Sequence, residues 1–245
     1  MNKDYFHASR EPRYSVLLAL PLMLLYELFS FTLSGSTWAG VRNGADVMLK
    51  SLFLRLGGER GVMVFGVLLL AIGAGFVVQD LRRNPGGLKR HVFALMMAES
   101  AVYAVLFGVI IGKLTALVLG MPALLMQIGG GQLDVPTQLV TSLGAGLYEE
   151  LLFRVLLTGG LLWLFLKLGW RRTVAAGVAV VLSALIFSAF HYVGSLGDEF
   201  TVQSFTFRAI AGLAFSLLYV TRGLGITAWT HALYDVLITV VQAQA

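Results

Sequence analysis

The residues of this chain able to do acid–base chemistry sit where they cost most. Glu27, Glu99, Glu149, Glu150, Arg154, His191, Arg208, His231 and Asp235 fall inside otherwise apolar runs. An ionisable group at that depth costs several kcal/mol unless it is paired or wetted, so each is a functional candidate by default. Histidines beside carboxylates can pass protons, activate water or bind a metal ion. The chain has no cysteine, which excludes disulfides, thiolate metal sites and a cysteine nucleophile.

Spacing divides the work among these groups. In LYEELLFR, residues 147–154, Glu150 and Arg154 stand four apart, share a helix face and can form an ion pair. Glu149 is turned about 100° away on an α-helix and cannot make the same contact. One glutamate is held and the other is left free. Gly144 and Gly146 lie just before, where another helix can approach closely. The bland alternative is that both carboxylates only pair with cations to hold a bundle together. Phe187 and His191 are four apart, so the phenyl ring can restrict the imidazole. Alone, a histidine at a helix end is more often structural. His231 and Asp235 form a further i, i+4 pair, in which the carboxylate can fix the tautomer and leave the other nitrogen to act. Here the alternative is a buried pair that bonds only to itself.

The elements that must position these groups are membrane helices. Of 245 residues, 58% are hydrophobic and 13% charged, a balance typical of a polytopic membrane protein. The net charge of +5 is spread over short connecting segments, which points to membrane orientation and away from nucleic acid. A spanning helix needs about 20 apolar residues. Seven runs qualify, at 14–33, 61–80, 92–112, 138–166, 173–191, 205–221 and 224–242. The first reads as an anchor, not a cleaved signal peptide. Residues 41–56 read as a short interfacial amphipathic helix, with Val47, Leu49, Leu52, Phe53, Leu54 and Leu56 opposite Arg42, Asp46, Lys50 and Arg55. Residues 113–137, with Gly120, Met121-Pro122 and Gly129-Gly130-Gly131, read as a break or re-entrant loop. The expectation is therefore an all-α transmembrane bundle of about seven spans plus one interfacial helix, forming a single integral membrane domain over residues 1–245.

Lys3, Arg10 and Arg13, the segment with Arg82, Arg83, Lys89 and Arg90, and the turn with Lys167, Arg171 and Arg172 fall on one side if the spans alternate. That side is expected to be cytoplasmic, with Asp198-Glu199 and the C-terminus outside. Residues 34–60 carry basic residues on the wrong side. Depth is a second difficulty. Glu149 and His191 lie about 25 Å along their helices from the cytoplasmic ends, but His231 only about 10 Å along its own. Tilt, a late start of the last span, or a break at Thr221-Arg222-Gly223 would reconcile them.

Taken together, Glu-Glu-x-x-x-Arg at 149–154, Phe-x-x-x-His at 187–191 and His-x-x-x-Asp at 231–235, in that order on successive apolar helices, resemble the CPBP (Abi) family of CAAX-prenyl-protease and bacteriocin-processing intramembrane proteases. The likeness covers about residues 138–242. It implies that Glu149 and His191 activate a water, that His231 with Asp235 stabilises the oxyanion, and that Glu150 and Arg154 hold the architecture. The family often has asparagine where this chain has Asp235. An ionised aspartate cannot donate to an oxyanion, so it would orient His231 or be protonated in an apolar site.

Peptide hydrolysis needs an activated water, an acid for the leaving amine and donors for the oxyanion, which this set can supply. No histidine begins an HExxH zinc motif. Glu149, His191 and His231 are nonetheless acceptable zinc ligands. The favoured reading is a metal-free glutamate mechanism without a cofactor. Ser195, in a glycine-flanked loop after His191, is discounted as a nucleophile, and Asp235 is the one aspartate well inside a span, which argues against an aspartate pair. The rival is a non-enzyme: a transporter or proton relay, or a scaffold for a partner helix, built on the same polar residues. The expected partners are the bilayer and a membrane-anchored peptide or protein, in a prokaryotic inner membrane.

Overall fold

Among the described residues, 3–34, 40–120, 134–194 and 197–244, every regular element of this computed structural model is helical. They run α1 (Lys3–Ala8), α2 (Pro12–Ser34), α3 (Gly44–Arg83), α4 (Arg90–Leu119), α5 (Val135–Gly144), a π-helical segment (Ala145–Thr158), α6 (Gly159–Lys167), α7 (Arg172–Phe190), α8 (Val202–Arg222) and α9 (Leu224–Gln242). Six are long and apolar enough to cross a membrane: α2, α3, α4, α7, α8 and α9. The remaining expected span, 138–166, is present as α5, the π-segment and α6 joined without a break in helical backbone. The chain is an integral membrane protein with a polytopic all-α fold.

Two boundaries differ from the sequence reading. Helix α4 continues through 113 to Leu119 and stops where Gly120 takes a left-handed conformation, φ 63°. Residues 121–133 of the expected break, including the Gly129–Gly131 run, lie outside the described residues, as does Ser195, and residues 135–137 belong to α5 instead of a loop. Residues 41–56 and 61–80 are not separate elements either. They are two limbs of α3, joined at a kink where Gly58 has φ 60° and ψ −147°, a region open only to glycine. Phe53 and Phe65, on opposite limbs, meet at a tilt of 48° with centroids 5.1 Å apart.

The first limb is inside-out relative to a water-facing helix. Asp46 and Lys50 are buried, whereas Val47, Leu52, Leu54 and Leu56 are exposed. In lipid this polarity is favourable, because leucine matches the acyl chains and the charges find partners within the protein. Glu27 of α2 receives Arg42 Nη1 and Lys50 Nζ at 2.8 Å each, Lys50 also reaches Asp46 at 2.8 Å, and Tyr148 Oη donates to Glu27 at 2.7 Å. Arg42 and Lys50 are thus both paired with carboxylates inside the protein.

Helix α9 is the centre of the bundle. It packs against α2, α4, α5, α8 and the π-segment. Half of its spanning window is buried, against 11% for α3. Its buried face is small and polar, with Gly225, Thr227, Ala228, Thr230 and Ala232. Small residues let membrane helices approach where lipid supplies no hydrophobic driving force between them.

One end of the bundle is sewn together by Arg13. Its Nε meets Asp80 at 2.7 Å and its Nη1 reaches Gly86 O at 3.1 Å, while Lys89 N donates to Tyr14 Oη at 3.0 Å. The α8–α9 turn is at the same end but recessed. Arg222 binds Glu99 of α4 at 2.7 Å and Ser9 at 2.9 Å. Glu99 lies about 13 Å in from the start of α4 at roughly 1.5 Å per residue. The last span therefore starts late, and His231, about 10 Å further on, comes level with Glu149. The depth difficulty is resolved by a sunken turn held by a buried ion pair.

Candidate active site

The motif glutamates lie on the π-segment. A π-helix bonds i to i+5, so its turn is wider than an α-helix turn. Neighbours help to hold it: Phe153 O accepts from Thr158 Oγ1 at 2.7 Å and from Ser183 Oγ of α7 at 2.8 Å. The 100° rotation expected between Glu149 and Glu150 assumed an α-helix and is smaller on this wider turn. Their partners, more than their rotation, make them unlike.

Glu150 is fully buried and bridges two elements. Its Oε2 lies 3.3 Å from Arg154 Nε, and its Oε1 receives His231 Nδ1 at 2.6 Å. Arg154, also fully buried, has its guanidinium 4.5 Å from the Phe187 ring and 5.7 Å from the Phe215 ring. Phe215 stacks on His231 with centroids 4.3 Å apart and an interplanar angle of 22°. The imidazole is thus held by a carboxylate at one nitrogen and a phenyl ring on its face.

Asp235 stands beside the second ring nitrogen of His231 without a close bond to it. Its Oδ2 is 3.5 Å from His231 Nε2, too long for a good hydrogen bond, and its side chain is 28% exposed. Glu150, from another element, holds Nδ1 instead. Four-residue spacing within α9 shows Asp235 as a neighbour of His231, but a partner across helices is invisible to it.

His191 caps the C-terminus of α7. Its Nδ1 lies 2.9 Å from Phe187 O. A carbonyl only accepts, so Nδ1 carries the hydrogen and Nε2 of the neutral ring keeps a lone pair. Phe187 meets His191 edge-on at 4.8 Å and lies 6.4 Å from the His231 ring, so one phenyl separates the two histidines. Glu149 interacts electrostatically with both.

Glu149 Oε1 accepts a hydrogen bond from Asn43 Nδ2 at 2.9 Å. Asn43 was absent from the sequence candidates. Its one legible signal is that Asn before Gly-Ala-Asp suits a helix N-cap, and it does cap α3 by accepting from Ala45 N at 2.9 Å. Nothing in the sequence links it to a residue so far along the chain.

The structure thus gathers Glu149, Glu150, Arg154, His191 and His231 at one level, with Asp235 at the edge. Glu27, Glu99 and Arg208 do not join them. Glu27 anchors the first limb of α3, Glu99 holds Arg222, and Arg208 ties the loop after His191 through Asp198 at 2.5 Å and Tyr192 at 3.0 Å. Among the described residues no group of three His, Asp or Glu side chains converges to hold a metal ion.

Gly146 explains how the π-segment comes so close to α9. A Cβ there would stand 2.6 Å from Ala228 O and from Ala232 Cβ, atoms on either side of His231 in α9. The Glu150–His231 bond thus spans a helix contact that only glycine permits.

Neither the curated proteins nor the solved structures include a match to the chain. A family model does match, over residues 131–237, and its description is type II CAAX prenyl endopeptidase Rce1-like. All three motifs fall inside that stretch. The match and the motifs fall on the same stretch, which is similar to the type II CAAX prenyl endopeptidase Rce1-like family.

Proposed function

We propose that the protein is an intramembrane endopeptidase in which Glu149 and His191 activate water to cut a membrane-associated peptide or protein. Glu149 Oε2 and His191 Nε2 are the lone pairs on offer to that water. Glu149 takes its proton as the hydroxyl adds to the carbonyl carbon, then returns the proton to the leaving amine. His231 faces carboxylates at both ring nitrogens, so each can carry a proton, and Nε2–H is the donor proposed for the oxyanion. Glu150 and Arg154 position that ring. No metal enters the scheme. The observation that carries it is the 2.6 Å bond from Glu150 to His231, which joins the first motif to the third at the depth of Glu149.

The substrate class follows from the setting. A lipid-embedded site with a carboxylate base suits a peptide tethered to the bilayer, and a prokaryotic inner membrane is the proposed location. The name of the matched family makes a farnesylated CAAX peptide the first probe to try. The wider test compares membrane-anchored peptides in cells carrying the parent chain or Glu149→Gln, His191→Ala or His231→Ala. Each variant should remain folded in the membrane and accumulate the same uncut peptides. Unchanged cleavage in all three overturns the reading. An unaltered peptide profile with a fall in ion flux would install the proton-relay alternative.

A further inference from the structure

We infer that Asn43, outside the stretch matched by the family, is a positioning residue for Glu149 and makes the first limb of α3 a working wall of the site. The inference rests on the protease reading. Asn43 is buried, and each of its polar groups in this region has one assignment. Its own N–H donates to Tyr26 Oη at 3.0 Å. Ala45 N–H can only donate, so Oδ1 must face it, at 2.9 Å. That leaves Nδ2, a donor, for Glu149 Oε1 at 2.9 Å. The amide orientation is therefore fixed by the network and is not a free choice of flip.

The consequence is chemical. A donor on Oε1 favours the carboxylate form and holds it in one rotamer, which leaves Oε2 as the oxygen presented to water. Nor can the anchor drift. Tyr26 also donates to Asp46 Oδ2 at 2.8 Å, and Asp46 binds Lys50 at 2.8 Å. Gly144 packs against this corner, since a Cβ on it would meet Tyr26 Cε2 at 2.5 Å and Asn43 Cβ at 2.8 Å. Glu149 is thus set by α3 on one side while Glu150 is set by α9 on the other. The two glutamates are divided between two walls, and only the second wall belongs to the family's motifs.

Two substitutions separate this role from mere capping. Asp and Ser cap helices as well as Asn does, so both variants should keep α3, and Asn43→Ser should keep a melting temperature close to the parent. Asn43→Asp keeps the shape but removes the donor and sets a like charge beside Glu149; Asn43→Ser keeps the cap but cannot reach. Both should lower the rate of peptide cleavage by roughly tenfold to a hundredfold, the scale of a lost hydrogen bond to a charged group. The readout is the membrane peptide profile, run beside Glu149→Gln. Both variants should move it toward the Glu149→Gln profile. A parental profile from Asn43→Asp and Asn43→Ser, with Glu149→Gln inactive, overturns this inference alone. A parental profile from Glu149→Gln overturns the protease reading and takes the inference with it.

Discussion

Adding one methyl group at Gly146 should disable the site without touching any polar residue. The new Cβ would stand 2.6 Å from Ala228 O and Ala232 Cβ and 2.7 Å from Ala232 N. Ordinary contact requires about 3.5–4.0 Å, so the π-segment and α9 must separate by about 1 Å. The Glu150–His231 bond crosses the same gap at 2.6 Å. An opening of that size takes it to about 3.6 Å, which is no longer a hydrogen bond. Overpacking of this kind costs about 1–3 kcal/mol. For a chain of this length the melting temperature should fall by about 2–4 °C per kcal/mol. Gly160→Ala is the control, because nothing lies within 4 Å of its added Cβ. It should gain up to about 1 kcal/mol from improved helix propensity. Both variants are assayed by thermal unfolding in detergent and by cleavage of the membrane peptides. Parental cleavage together with parental melting in Gly146→Ala would refute the argument that this contact sets the site.

The remaining predictions concern other parts of the molecule. Glu150→Gln leaves the fully buried Arg154 uncompensated and should cost about 3–5 kcal/mol, whereas Glu150→Met with Arg154→Met should recover most of that stability but not cleavage, since His231 Nδ1 stays unpartnered; thermal melts beside peptide profiles distinguish the two effects. Gly58→Ala forces a side chain onto φ 60°, ψ −147° and should destabilise by about 1–3 kcal/mol, read as a lower melting temperature. Under the proposed metal-free scheme chelators are expected to leave cleavage unchanged; chelator-induced loss that zinc restores would overturn that scheme. Asp198→Ala removes a half-exposed partner of Arg208 and should change stability by less than about 1 kcal/mol.

Much of the fold was legible because hydrophobic length is a strong and local signal. Apolar runs long enough to span a membrane can hardly be anything but helices, since lipid satisfies no backbone hydrogen bond. The inside-out first limb of α3 was harder. Its periodicity shows two faces, but which face turns inward depends on whether water or lipid lies outside. The π-helical backbone of 145–158 was not legible either, since its extra width is held by Ser183 from another helix as well as by Thr158.

The order and spacing of Glu149, Glu150, Arg154, His191 and His231 marked the site, because i, i+4 neighbours meet on any helix face. That much is a property of the sequence: which residues are candidates for the chemistry and which pairs share a face. Only the tertiary structure decided what each of them faces. The recessed Arg222–Glu99 turn brings His231 to the depth of the glutamates, Gly146 lets α9 close on the π-segment, Glu150 takes one ring nitrogen of His231 from across the bundle, and Asn43 takes Glu149. These contacts join segments far apart in the chain. They depend on helix depth and close approach, which local spacing does not encode.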